Sequence, residues 1–317
     1  MLFIITKNKM EGINNLGGTC AINSLIQIIC RCEKMRNIIL NAEVSNDSFT
    51  IELKEIIDLM YNHNKSLNPV KFINSFYKTF EGIFNKYEQI DINELWFYLY
   101  EKINEETSRT ITISKNITNI EDEHNLKIAM YNNYKESELM KLVQGSFINV
   151  IECCHCTNKS YSFEPFINIA VDIENEPNIT IAQLIMNFMK DEHREKDDWK
   201  CDKCNDKHNY IKSRKIWKIP KLLFITLNRF KDVNNKNNTE VFINDTILFN
   251  NNEEFRFNLQ SIGLHSGSLS GGHYTALCNI KDGNYHLYND SHIIKYKEDE
   301  LKNNIKSNGA YLIVYES

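Results

Sequence analysis

Proline and glycine are scarce in this 317-residue chain, at four and eleven residues, so no Pro- or Gly-rich stretch marks an internal linker. A surplus of positive charge is also missing. Lys and Arg number 37 against 42 Asp and Glu, a net charge of −5. No Lys/Arg run supplies a stripe for tracking phosphates, which argues against nucleic-acid binding. Leu2 to Ile5 is apolar, but Thr6-Lys7-Asn8-Lys9 ends it well short of a signal-peptide core. Nothing elsewhere approaches the roughly eighteen apolar residues of a membrane helix, so neither export nor membrane insertion is expected. The nine cysteines are odd in number. Without a secretory address they favour metal binding and catalysis over disulfides, in a reducing cytoplasmic or nuclear setting.

What is present suits an ordinary soluble protein, 42% hydrophobic and 25% charged, long enough to bury a sizeable core. The first half reads helical. Ile22, Leu25, Ile26 and Ile29 recur at helical spacing after Cys20, as do Ile92, Leu95, Trp96, Leu99, Tyr100 and Ile103 further on. Ile51 to Met60 and Val70 to Phe80 are further helices, while residues 104–138 are weakly patterned. From about residue 146 the texture turns to β. Phe147 to Glu152, Lys159 to Ile173, Tyr210 to Lys218, Leu222 to Phe230, Phe255 to His265, Tyr274 to Ile280, Tyr285 to Tyr288 and Tyr311 to Tyr315 read as strands. A helix at Thr180 to Lys190 interrupts them, and Asp232 to Glu240 reads as a turn or loop. A helical lobe followed by an antiparallel sheet lobe leaves a cleft between the two as the natural site.

Two Gly-rich loops carry the chemistry. Gly12-Ile13-Asn14-Asn15-Leu16-Gly17-Gly18-Thr19-Cys20 delivers a cysteine to the start of an apolar helix. His265-Ser266-Gly267-Ser268-Leu269-Ser270-Gly271-Gly272-His273-Tyr274 presents a histidine. A free thiol is mostly protonated at neutral pH, and a helix N-terminus and an imidazolium both favour the thiolate. Asn15, on the approach loop, can join the Cys20 backbone N–H as a pair of oxyanion donors. Tyr285 to Ser291 offers Asn289 and Asp290 as candidates to orient the imidazole. A lone cysteine at a helix start is ordinarily a small buried hydrophobe, and a lone loop histidine is equally bland. Together with Asn15 and the Asn-Asp pair, they read as a cysteine hydrolase.

Cys153-x-x-Cys156 and Cys201-x-x-Cys204 form two thiolate pairs separated by 44 residues. Two such tips can complete a closed tetrahedral site for one structural zinc ion per chain. The plainer reading is two β-turns with incidental cysteines, or a redox pair. Cys154 and His155 lie inside the first turn as alternates, and Cys30, Cys32 and Cys278 read as core residues.

These stretches resemble the ubiquitin-specific proteases, papain-like cysteine deubiquitinases. Asn15-Leu16-Gly17, Thr19-Cys20 and Asn23-Ser24 match that family's Cys box. His265-Ser266-Gly267, Gly272-His273-Tyr274 and Tyr288-Asn289-Asp290-Ser291 match its His box. Gln89 to Leu95 and Leu227-Asn228-Arg229-Phe230 resemble two intervening elements. Three departures stand out: Gly18 where Asn is usual, Ala21 where Tyr is usual, and Asn289 where many relatives carry Asp.

The resemblance implies an α+β papain-like cysteine protease fold, one catalytic domain over 1–317. Residues 1–145 would form a helical thumb, 146–215 zinc-bearing β fingers and 216–317 an antiparallel β palm carrying the His loop. It implies a thiol-dependent ubiquitin C-terminal hydrolase that cleaves isopeptide or peptide bonds after the last glycine of ubiquitin. Cys20, His273 and Asn289 would be its catalytic residues, with Asn15 and Asp290 accessory. Asp91 and Glu94 match positions that meet the basic ubiquitin tail, although Asp91 followed by Glu94 is also a capping box. Gly272 would permit close approach beside His273, and Tyr274 would pack against the tail. Phe163, Glu164 and Phe166 are candidates to line the fingers. Ubiquitin, ubiquitinated proteins and a recruiting protein are the expected partners. The alternatives are a catalytically weak ubiquitin-binding scaffold and a protease for a ubiquitin-like modifier.

Overall fold

The computed structural model of the protein describes residues 12–62, 67–196, 199–232, 235–251, 253–268, 271–280, 284–301 and 305–317. Leu2 to Ile5 and part of the expected turn, at 233–234, lie outside the described residues. The helical half holds α1 (Cys20–Arg31), α2 (Glu33–Asn41), α3 (Phe49–Asn62), α4 (Val70–Thr79), α5 (Ile92–Thr107), α6 (Ile120–Tyr131) and α7 (Glu138–Val143). α8 (Ile181–Phe188) sits among the strands. All twelve residues of α1 are buried, so the helix that opens with Cys20 runs through the core instead of lying on it. The weakly patterned 104–138 stretch contains α6, started by Asn119, whose side chain accepts from Asp122 N. Only His124 and Ala129 of that helix are buried, so it offers no apolar stripe for sequence to reveal.

A large sheet orders its strands His292–Tyr296, Tyr285–Asn289, Gly271–Asn279, Glu253–Ser268, Ala310–Glu316, Leu222–Asn228 and Ile169–Asp172. Thr246–Asn251 pairs beside Glu253–Ser268. The expected run from Lys159 to Ile173 is two strands. Lys159–Phe166 belongs to a smaller antiparallel sheet with Gly145–Cys153, Tyr210–Lys218 and Glu192–Arg194. Ile169–Asp172 crosses into the large sheet and pairs parallel with Leu222–Asn228. A bend at Ile167, followed by Asn168, separates the two. The smaller sheet alone therefore does not account for residues 146–215.

Strand periodicity divides the core. Leu222 and Phe224 face one apolar cluster, whereas Leu223, Ile225 and Leu227 face the other, as side chains alternating across a pleat must. The first cluster joins α1, α3 and α5 to the sheet. Trp96 of α5 lies flat on Phe224, ring centroids 4.3 Å apart. Truncating such a buried aromatic costs ~3–5 kcal/mol. α8 covers the opposite face with Ile181, Leu184 and Ile185, behind a Thr180–Gln183 capping box.

Arg229 is fully buried. Its Nε donates to Ala310 O at 2.5 Å, Nη1 to Asn237 O and Thr239 O at 2.9 and 3.0 Å, and Nη2 to Ser307 O at 3.0 Å. Burial pulls its pKa down to about 10, still charged at neutral pH. The guanidinium fork thereby ties two loops to the edge of the strand that follows them.

Candidate active site and cysteine cluster

The approach loop to Cys20 is held by its own polar groups. Asn15 Oδ1 accepts from Gly17 N at 2.8 Å, Thr19 N at 3.3 Å and Thr19 Oγ1 at 3.2 Å, while Thr19 Oγ1 accepts from Leu16 N at 3.0 Å. Gly18 has φ +70°, in the left-handed region that glycine and asparagine tolerate best. The departure at Gly18 thus keeps the backbone conformation that the usual Asn would also accept.

Cys20 is 2% exposed. Burial raises its thiol pKa above the ordinary value, the Tyr274 backbone N–H that bonds to the sulfur lowers it, and the Asp290 carboxylate raises it. The resting sulfur is therefore a thiol that needs a base, placed directly beside the strand that carries one.

His273 lies on Gly271–Asn279, paired through Ser266 with one neighbouring strand and, further along, with Tyr285–Asn289 on the other. Its Nε2 is 2.7 Å from Asn289 Oδ1. An amide oxygen only accepts, so Nε2 carries the proton and Nδ1 keeps the lone pair. Asp290 Oδ2 is 3.9 Å from the same nitrogen, beyond hydrogen-bond reach. Asp290 has φ +51° and its carboxylate turns to the Cys20 loop, accepting from Asn15 Nδ2 at 3.1 Å and Asn23 Nδ2 at 2.8 Å. Ile13 N also donates to Asp290 O at 2.9 Å. The two neighbours thus divide the site, Asn289 serving the imidazole and Asp290 the thiol loop. Asn23 was matched in the sequence only as part of the Cys box, with no role of its own. Its signal was a polar side chain one helical turn past Cys20, on a helix otherwise built for burial.

The expected tail-binding residues fall into two groups. Asp91 caps α5, Oδ1 accepting from Asn93 N at 2.8 Å and Glu94 N at 3.0 Å, and Oδ2 accepts from Tyr311 OH. Glu94 is exposed. Tyr274 is buried at 2% exposure, its ring 4.5 Å from His265 and 6.2 Å from Tyr311. It therefore meets the site through its backbone, with its ring turned inward. A Cβ on Gly272 would lie 2.0 Å from His265 Nε2, so glycine there accommodates an imidazole of the protein itself. His265 is held at about 4, mainly by burial and next by the Lys236 cation, whose Nζ donates to His265 O at 2.8 Å. Tyr311, read from sequence only as a strand residue, joins Asp91 to this aromatic group.

The smaller sheet ends in the cysteine cluster. Cys153 closes a turn with Thr157 N donating to its carbonyl at 2.9 Å, and Cys201 closes another with Asn205 N at 2.8 Å. Thr157 and Asn205 both have left-handed φ, 57° and 54°. Cys154 N donates to Asn209 O at 2.9 Å and joins the two turns. The sulfurs of Cys153, Cys156, Cys201 and Cys204 all lie within 4.8 Å of one another, with Cys156 to Cys201 at 3.6 Å. A tetrahedral ion with bonds of ~2.3 Å needs sulfurs ~3.8 Å apart. The Cys204 backbone N–H lowers Cys201 to about 7, while the Cys156 thiol pushes Cys204 upward. Four cysteine sulfurs gathered this closely make a closed donor set that fits one cation. Cys154 is exposed and outside the four, and Cys30, Cys32 and Cys278 are buried.

The family model described as Ubiquitin carboxyl-terminal hydrolase matches residues 11–315. The Drosophila melanogaster protein Ubiquitin carboxyl-terminal hydrolase Usp2 is 25% identical over 96% of this chain and 34% of its own length. Human Ubiquitin carboxyl-terminal hydrolase 2 is 25% identical over 97% of this chain and 55% of its own. The chain thus spans about a third to a half of these relatives. In solved structures, a SAGA Ubp8/Sgf11/Sus1/Sgf73 module bound to ubiquitin aldehyde contains a chain with TM-score 0.77 and 21% identity. That match covers 99% of this chain and 70% of the other. A related module bound to monoubiquitin gives 0.77 at 22%, over 97% and 69%. These neighbours share the α+β fold.

Proposed function

The chain belongs to the ubiquitin carboxyl-terminal hydrolase family, and on that premise we propose that it is a deubiquitinating cysteine protease. It would hydrolyse the isopeptide or peptide bond after the C-terminal glycine of ubiquitin. The observation that supports this reading is the packing of the helix that opens with Cys20 against the strand that bears His273. The sulfur takes a hydrogen bond from the residue next to His273, and His273 is oriented by Asn289 at 2.7 Å.

In the proposed cycle His273 Nδ1 takes the Cys20 proton and the thiolate attacks the scissile carbonyl carbon. The tetrahedral oxyanion is met by the Cys20 backbone N–H and by the second hydrogen of Asn15 Nδ2, whose first is held by Asp290. His273 then protonates the leaving amine, and water attacks the thioester to release ubiquitin and restore the thiol. Asp91, positioned by its cap and by Tyr311, and exposed Glu94 give the approach a negative character suited to a basic tail.

We assign zinc to the four cysteines as a structural ion; when bound it would offset part of the thiolate charge and cross-link two turns, with no part in bond cleavage. The nine free cysteines fit a cytoplasmic or nuclear setting, and a recruiting subunit is proposed by analogy with the SAGA module.

A second reading, a ubiquitin-binding scaffold of low activity, is favoured by the raised pKa of the buried Cys20 thiol. Capture by a ubiquitin bearing a C-terminal electrophile separates the two. An enzyme is labelled at Cys20 and Cys20→Ala is not, whereas binding without labelling supports the scaffold. The same probe built on other modifiers tests a preference for a ubiquitin-like protein.

A further inference from the structure

Two imidazoles beside the four sulfurs have no part in the tetrathiolate site. His155 lies inside the first Cys-x-x-Cys turn and His208 four residues after Cys204. The Cys154–Asn209 backbone bond that joins the two cysteine turns also brings these histidines together. Their rings are nearly parallel, 15° apart with centroids 4.5 Å distant. One nitrogen from each and the Cys204 sulfur all lie within 4.8 Å of one another. We propose that His155, Cys204 and His208 form a second site for a divalent transition ion of the zinc class, joined to the tetrathiolate site by a bridging Cys204 sulfur.

The chemistry follows from the donors, and it rests on the reading of the four cysteines as a zinc site. Zinc with four thiolates carries a net charge of −2, which favours another cation close by. A thiolate sulfur retains lone pairs after binding one ion, and two neutral imidazoles with one sulfur suit a borderline metal. Tetrahedral bonds of ~2.0–2.3 Å require donors ~3.3–3.8 Å apart, so a trio already within 4.8 Å needs to close by at most ~1.5 Å. His155 is exposed and His208 and Cys204 are half-buried, which leaves the side chains room to turn. Three protein ligands leave the fourth position to water, so the second ion binds more weakly than the first and exchanges more readily.

The test uses the full chain, washed with a mild chelator and then titrated with Zn2+ under equilibrium dialysis and, in parallel, with Co2+ followed by its visible absorption. The expected result is two equivalents, the second weaker, with a distinct change in the Co2+ spectrum as it fills. His155→Asn combined with His208→Asn should retain one tight equivalent and the parent melting temperature. One equivalent in the parent, or two in the double variant, would overturn the second site alone. No tight equivalent in the parent would overturn the tetrathiolate reading as well.

Discussion

Replacing Asn289 with alanine removes the side-chain acceptor that lies 2.7 Å from His273 Nε2. Asp290 cannot take over without moving, since its nearer oxygen is at 3.9 Å and is engaged by Asn15. The lost bond is worth most when the imidazole is charged, after it has taken the thiol proton. Hydrogen bonds to charged groups contribute ~1.5–3 kcal/mol, which converts to a loss of about 10- to 150-fold in rate. The half-exposed setting favours the lower part of that range. Because Asn289 contacts the base and not the expected path of the tail, the loss should fall on kcat, with KM nearly unchanged. Steady-state cleavage of a fluorogenic ubiquitin C-terminal amide measures both. Asn289→Asp restores an acceptor and should recover most of the rate. Asn289→Ala within twofold of the parent, or a loss confined to KM, would refute the assignment of Asn289 to the imidazole.

Gly18→Ala should cost ~1 kcal/mol for a left-handed residue with a Cβ, and Gly18→Asn distinctly less; equal melting temperatures for the two would remove the account given for that departure. Arg229→Lys keeps the charge but loses the fork that reaches four carbonyls, so chemical denaturation should show a loss of ~2–4 kcal/mol, and an unchanged midpoint would contradict it. His265 and His286 are both held at about 4, mainly by burial, against ~6.5 in the unfolded chain. The unfolded state therefore binds more protons below pH 6.5, so stability is full above that value and falls as pH approaches 4, by up to ~3 kcal/mol per histidine. His286→Phe should flatten part of that fall, and an unaltered pH profile of the melting temperature would argue against it.

Local chemistry made much of the site legible from residues alone. A cysteine after a Gly-rich loop at the head of an apolar helix is a short-range pattern, and so are the two Cys-x-x-Cys turns. Strands with period-two alternation, such as the run around Phe257 and Leu259, were also readable because those two side chains are buried while Arg256 and Asn258 between and beside them are exposed. α6 escaped because its buried residues are too few to make a stripe. Ile169–Asp172 was merged with its predecessor because a change of sheet leaves no mark in apolar periodicity.

Sequence by itself determined which reactive groups exist and which turns and helix starts present them, since those depend on neighbours a few residues away. Tertiary structure alone decided how they are shared. The left-handed backbone at Asp290 sends its carboxylate to Asn15 and Asn23 while Asn289 stays with His273. The inward turn of Tyr274 against His265 and Tyr311 likewise depends on contacts between residues distant in the chain. Those distances are set by how the buried helix α1 packs against the sheet, a long-range match of surfaces that no local pattern encodes.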